Sequence, residues 1–400
     1  MTAAAPQPYS SPRGHSRPVA RVAGVDAWDY LPLAQSYETA FVWSRGDLRV
    51  VALGESGPEQ ASAGEAWPSE VGGRSFTGEA GRDEWAGWPG AWRGRPQTLY
   101  VSRGDGEVWR LGDPSSPARP PAAPDPWRSL PATAFSPVEP VEVWIDATRA
   151  ATAAIGASAA EKVVLARREV ASLAQACGRA TALLPVLRQG NAEAVTFGIK
   201  LGAGGWFVGA TPETLIELED GWLRTEALAG THARPEGLDN PKDRGEHQWV
   251  VDGIESALAP VCLGLEKLGP TSKRAGHLYH WQTRFRGRVA PGNGLFDLAH
   301  RLHPTAAVGG TPRAQALDFI AAHEPRDRGW YAGFTGWSNT RGDGHAVVGL
   351  RSALLRDDSI YIYAGAGIVR ASEPEKEWRE TAAKLETCKR SLAASGSPVP

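Results

Sequence analysis

Short apolar runs broken by turn residues dominate the early chain. Phe41-Val42-Trp43 and Leu48-Arg49-Val50-Val51-Ala52-Leu53 flank Ser44-Arg45-Gly46-Asp47, which predicts a β-hairpin. Leu99-Tyr100-Val101 and Val108-Trp109-Arg110-Leu111 repeat the arrangement around Arg103-Gly104-Asp105-Gly106. Residues 147–160 are Ala-rich and helical in pattern, and Lys162-Val163-Val164-Leu165-Ala166 predicts a buried strand. A helix over residues 173–187 follows, then strands over 194–201, 205–210 and 214–218. Asn240-Pro241 marks a helix start, with Val250, Val251, Ile254, Ala257 and Leu258 on its apolar face and Pro260 ending it. Strand signals return over 331–363, and a last helix, opened by the capping-box pattern Ser372/Glu375, runs to about Leu392. Strand-rich stretches broken by single helices predict antiparallel sheets covered by helices, not a βαβ alternation.

Nine prolines from Pro114 to Pro140 exclude helix and central strand there. That stretch is either a domain linker or a surface connection within one domain. Residues 1–21 and 393–400 read as flexible tails.

Composition narrows the function classes. The 400 residues carry 43 Lys and Arg against 45 Asp and Glu, so bulk charge does not drive binding to nucleic acid or an anionic membrane. Cys177, Cys262 and Cys388 are far apart and form no CxxC, which argues against a disulfide framework or a structural zinc and for a reducing compartment. Neither a signal-peptide core nor a membrane-spanning apolar stretch is visible, so a cytoplasmic location is expected. Of the 43 basic residues only eight are Lys. A Lys in an apolar setting then raises the question of why Arg would not do, and one answer is that Lys can be deprotonated.

Lys162 is such a residue, opening an apolar run. It suits either a desolvated amine acting as a base or a strand-end Lys reaching for solvent. Asp243 and Glu246 share one helix face, as do Glu377, Glu380 and Lys384 on the last helix. Converging, the four acids would form an oxygen-rich site suited to Mg²⁺; apart, they would be two solvated faces. Glycines cluster at Gly209, Gly309-Gly310 and Gly365-Ala366-Gly367, as turns or as backbone cradles for an anion. No dinucleotide fingerprint or P-loop occurs. His277 and His280 match no zinc spacing and read as structural.

Together these segments resemble the chorismate-utilising enzymes, most closely the isochorismate synthase branch. The resemblance rests on motifs in family order between residues 160 and 392: Lys162-Val163-Val164-Leu165-Ala166-Arg167, Gly209-Ala210-Thr211-Pro212-Glu213 and Arg224-Thr225-Glu226-Ala227-Leu228-Ala229-Gly230-Thr231; then Lys242-Asp243-Arg244-Gly245-Glu246-His247 and His303-Pro304-Thr305-Ala306-Ala307-Val308-Gly309-Gly310; then Arg328-Gly329-Trp330-Tyr331-Ala332-Gly333, Gly365-Ala366-Gly367-Ile368-Val369 and Glu377-Trp378-Arg379-Glu380-Thr381. Thr211 departs from the family's usual Ser.

The resemblance implies an α+β fold, a single large domain over residues 22–392, motif-rich over 150–392, with two antiparallel sheets face to face and helices outside. It implies Mg²⁺ held by Glu246 and Glu380, with Asp243 and Glu377 holding metal waters. Lys162 matches the base that activates water for attack at C2 of chorismate, and Glu213 the acid that protonates the departing C4 hydroxyl. Arg351 and the backbone of Gly365, Ala366 and Gly367 match the groups that hold the enolpyruvyl carboxylate. Gly230, Thr231, His303, Ala307 and Lys384 would line the pocket. Anthranilate synthases carry Gln where Lys162 stands, and aminodeoxychorismate synthases carry Lys where Ala229 stands, which favours water as nucleophile. A salicylate synthase, or an inactive relative kept for binding, is the alternative. The reading requires no glutamine amidotransferase partner, expects a monomer or weak homodimer, and leaves menaquinone and siderophore supply equally open.

Overall fold

The computed structural model describes residues 19–393 except 25, 57–66, 105, 124–126, 128, 132–133, 158–159, 233 and 276–277. The strands before the proline-rich stretch are β1 (Val19–Val22), β2 (Thr39–Arg45), β3 (Leu48–Glu55), β4 (Glu70–Arg74), β5 (Ala91–Gly94), β6 (Pro96–Arg103) and β7 (Val108–Gly112). Then come β8 (Ser136–Pro137), α1 (Val141–Gly156), β9 (Lys162–Ser172), α2 (Ala176–Gly190), β10 (Val195–Leu201), β11 (Trp206–Thr211), β12 (Thr214–Glu219) and β13 (Trp222–His232). The chain continues through α3 (Pro241–Leu258), β14 (Cys262–Ala275), β15 (Leu278–Val289), α4 (Leu295–Leu302), β16 (Gly310–Thr311) and α5 (Arg313–His323). It ends with β17 (Phe334–Ser338), β18 (Gly344–Val348), β19 (Ser352–Arg356), β20 (Ser359–Ile368) and α6 (Pro374–Ala393).

Two antiparallel sheets result. A 12-stranded sheet runs β1-β7-β6-β3-β2-β10-β11-β19-β20-β9-β16, with β8 also on β9, and an 8-stranded sheet runs β14-β15-β13-β12-β18-β17-β4-β5. Both mix strands from before and after the prolines: β2 pairs with β10, and β4 with β17. The proline-rich stretch is therefore a connection within one domain. The expected N-terminal tail ends sooner than residue 21, because Val19–Val22 pairs with β7.

Alternation along the strands sorts side chains between two cores. Phe41, Trp43 and Val50 of the large sheet pack with Leu218, Leu223 and Phe285 of the small one, so the sheets face each other. Val42, Val51 and Ile362 point the other way, under Leu183 and Leu187 of α2 and Leu385 and Leu392 of α6. On the small sheet, Val250, Ile254 and Leu258 of α3 join the first core. Asn240 caps α3 through a bond from the Asp243 N–H, 2.9 Å, with Pro241 in its first turn, as the sequence predicts. The expected capping box of α6 is replaced. The Ser372 hydroxyl donates to Glu377 Oε1 at 2.6 Å and accepts from the Val369 N–H, so it fixes a carboxylate of the helix and the chain entering it.

Buried ion pairs lock the two halves of the chain together. Arg168 of β9 meets Glu84 at 2.6 Å, each side chain 2% exposed, and Glu139 at 3.3 Å. Arg167 stacks 3.7 Å over Trp378 and donates to Thr381 at 2.8 Å. These contacts set β9 against α6, and so set Lys162 relative to the acids of that helix.

Candidate active site

Lys162 begins β9, where that strand is flanked by β16 and β20. Its side chain is buried and its Nζ lies 3.4 Å from Glu246 Oε1 of α3. Gly367 makes room for this approach. A Cβ there would fall 2.5 Å from Lys162 Cε and 3.4 Å from Glu246 Oε1. A side chain at this position would have to push the end of the Lys162 side chain aside.

Glu213 sits in the tight connection from β11 to β12, held by its N–H on Thr211 Oγ1 at 3.3 Å and its carbonyl under the Val348 N–H at 3.0 Å. The residue as a whole is half-buried, yet its carboxyl is deep enough to be pushed up to about 7. Burial is the main cause and the charge of Glu226 adds to it, while Lys162, Lys384 and Arg351 oppose it. Those influences identify what surrounds the carboxyl: β9, α6, the turn before β19, and β13. Sequence positions 162, 213, 351 and 384 are thus brought to one place.

Arg351 follows β18 with a left-handed backbone, φ 46°, its carbonyl accepting from the Ala210 N–H at 3.2 Å. This strained turn stands beside the Glu213 connection, and the Arg351 side chain is exposed. Lys384 donates to the Gly365 carbonyl at 2.8 Å and pairs with Glu380 at 2.8 Å. Ala366 turns its methyl into the core between the sheets, so it can offer a ligand only its backbone. His303 is buried, its ring pushed down to about 3 chiefly by burial and therefore neutral. Its Nε2 bonds the Phe76 carbonyl at 3.2 Å, while Nδ1 is buried with no partner among the described residues, which leaves an acceptor for a ligand hydroxyl. Ala307 is half-buried in the same connection. Gly230 has φ 68°, and a Cβ there would sit 2.8 Å from Asp243 Cβ. The Thr231 side chain lies outside the described residues.

Asp243 and Glu377 are buried, Glu246 is mostly buried and Glu380 is half exposed. No group of three or more His, Cys, Asp or Glu close enough to cage a metal occurs among the described residues. Mg²⁺ does not need such a cage: it takes one or two carboxylates and completes its shell with water and substrate oxygens. The carboxylates of α3 and α6 are hard oxygen donors of the kind that ion prefers, and in this structure Glu246 pairs with Lys162 and Glu380 with Lys384.

Three residues beside the site, His280, Lys273 and Gln282, lie outside the motifs quoted above. His280, taken as structural, bonds the Gly230 carbonyl through Nδ1 at 2.8 Å, and besides burial it feels the charges of Arg351, Lys384 and Lys273. Glu226, Lys273 and Gln282 form a polar cluster beside it. The scarcity of Lys would have flagged Lys273, as it flagged Lys162. His277 lies outside the described residues.

Known proteins show the same organisation. The menaquinone-specific isochorismate synthase MenF of Escherichia coli superposes with a TM-score of 0.77 at 26% identity, over 95% of each chain. Anthranilate synthase component I of Streptococcus pneumoniae, at 17% identity and a TM-score of 0.71 over 96% of this chain and 95% of that one, shares the fold. In sequence the chain is 42% identical over 247 residues to the salicylate biosynthesis isochorismate synthase of Pseudomonas aeruginosa, 59% of this chain and 51% of that protein. It is 34% identical over 255 residues to isochorismate synthase MenF of Bacillus subtilis, 61% and 54% of the two chains. The chain thus spans about half the length of the curated relatives it matches. The family model described as chorismate binding enzyme matches residues 121–393, which takes in every motif of the site. With fold, motifs and family model in agreement, the chain belongs to the chorismate-binding enzymes.

Proposed function

We propose that this protein is an isochorismate synthase, converting chorismate to isochorismate by adding water at C2 as the C4 hydroxyl leaves. The observation that carries the reading is Glu213, a carboxyl pushed up to about 7 and surrounded by Lys162, Lys384 and Arg351. At neutral pH such a group holds its proton in much of the population and can give it to a leaving hydroxide, which without protonation is a poor leaving group. Lys162, buried and apart from bulk solvent, is the base that takes a proton from water before C2 is attacked. Lys162 then gives up the proton it gained and Glu213 regains the one it lost, through water, and the site is reset.

Arg351 and the backbone N–H groups around Gly365–Gly367 hold the enolpyruvyl carboxylate in this reading, Lys384 adds positive charge, and the free Nδ1 of His303 accepts from a ring hydroxyl. Glu246 and Glu380 would hold Mg²⁺, with Asp243 and Glu377 behind them, and its charge would neutralise the ring carboxylate that four acids would otherwise repel. No helix among the described residues is long and apolar enough to cross a membrane. We expect a cytoplasmic enzyme working without an amidotransferase subunit.

Purified protein incubated with chorismate and Mg²⁺ tests the reading, with isochorismate, salicylate and pyruvate separated by chromatography. Isochorismate should accumulate. Stoichiometric salicylate and pyruvate would make the protein a salicylate synthase instead, and no turnover would make it a binding relative.

A further inference from the structure

Two polar residues just ahead of α3 and α6 each hold an acid of their own helix, and the proposed reaction uses neither. Before α6, the Ser372 hydroxyl donates to Glu377 Oε1 at 2.6 Å and accepts from the Val369 N–H at 3.1 Å. Before α3, the amide oxygen of Asn240 accepts from the Asp243 N–H at 2.9 Å, while its nitrogen donates to the Gly237 carbonyl at 2.9 Å and to Asp243 Oδ2. Both acids are buried, Asp243 to 8% and Glu377 to 6% exposure. Capping alone needs only an acceptor for the first N–H groups of a helix. The bonds donated to Asp243 and Glu377 go beyond it. Each fixes the torsions of a buried carboxylate through a neutral group, which leaves the negative charge in place. Glu246 and Glu380 differ, since their partners are Lys162 and Lys384.

One strand brings the two helices together. Lys384 of α6, paired with Glu380, donates to the Gly365 carbonyl of β20 at 2.8 Å. Two residues on, a Cβ at Gly367 would lie 3.4 Å from Glu246 Oε1 of α3. Those two strand positions are about 7 Å apart. Val369, whose N–H rests on Ser372, directly follows β20. Asp243 is backed by Gly230, where a Cβ would sit 2.8 Å from its own. We propose that Asn240 and Ser372 are positioning residues of the Mg²⁺ site, each orienting one outer carboxylate, so that together they set the affinity for the ion. The inference rests on the reading of Glu246 and Glu380 as metal ligands. A carboxylate already held in one orientation loses no torsional freedom when the ion binds. A lysine or arginine in place of Ser372 or Asn240 would hold it too, but would offset the charge that attracts the cation.

Calorimetric titration of the purified protein with Mg²⁺ tests this. S372A should weaken binding roughly 10–100-fold, as loss of an outer-shell partner does, and S372T, which keeps the hydroxyl, should stay near the parent. N240A should weaken it similarly. N240S restores the helix cap, because Ser caps as well as Asn, yet lacks the amide hydrogen that Asp243 accepts, so it should remain weak. D297A, which removes the acceptor of the Gly294 N–H, disturbs the start of α4 instead and should bind Mg²⁺ like the parent. Parental affinity in S372A or in N240S overturns the role of that residue, and an S372T as weak as S372A overturns the part of the hydroxyl. An equal loss in D297A overturns the whole proposal, because it would report general loosening. E246Q and E380Q separate it from the metal reading. If they bind Mg²⁺ as the parent does, or the parent binds none, the metal assignment fails and the proposal with it. If only they lose binding, the ligands stand and the role of Asn240 and Ser372 fails.

Discussion

Replacing the proposed acid should make the protein more stable while it stops turnover, and the size of that gain follows from the site. In water a glutamate carboxyl titrates near 4.5, whereas that of Glu213 is pushed up to about 7, mostly because ionising it in the fold costs solvation. The folded state then binds the proton more tightly than the unfolded chain. Stability from this group is fully present below pH 4.5 and is lost as the pH rises through about 7. About two and a half pH units at about 1.4 kcal/mol each give roughly 3 kcal/mol of strain carried above pH 8. Glu213→Gln has nothing to ionise and should recover most of it. For a chain of this length that corresponds to a rise in Tm of roughly 3–4 °C. Thermal unfolding of parent and E213Q should therefore coincide at pH 4.5 and diverge steadily to pH 8, with E213Q higher and without isochorismate synthesis. Equal Tm values at pH 8 would refute the claim that burial raises this carboxyl. A gain of the same size at pH 4.5 would show that Gln merely packs better.

Lys162→Arg keeps the charge but cannot serve as a base near neutral pH, so it should bind chorismate and lose about 10²–10⁴-fold in kcat. Near-parental turnover would make Lys162 a structural cation. Glu246→Gln or Glu380→Gln should abolish Mg²⁺ binding by calorimetry, and EDTA should stop the parent enzyme until Mg²⁺ is restored; full activity in EDTA would remove the metal assignment. Gly367→Ala places a methyl 2.5 Å from Lys162 Cε, so the folded variant should lose roughly 10²-fold in kcat through displacement of the amine, and unchanged kinetics would show that Lys162 moves freely.

Local pattern determined much of this protein. The hairpin of β2 and β3, the strand opened by Lys162, and the Asn240–Pro241 start of α3 follow from alternation, apolar runs and capping chemistry that act within a few residues. The motifs likewise carried the family. The long β14–β15 pair was invisible to such reasoning. Gly269-Pro270 reads as a break, yet β14 is an edge strand that absorbs it with a register shift between Leu268 and Thr271. Only the folded chain decides that Ser372 serves Glu377 instead of a helix cap, and that strands from both sides of the prolines share two sheets. Only it gives Lys273 of β14 a carboxylate of β13 to hold. Periodicity tells which side of an element is apolar. What a polar residue meets depends on the partner strand or helix across the gap, and no local pattern encodes that.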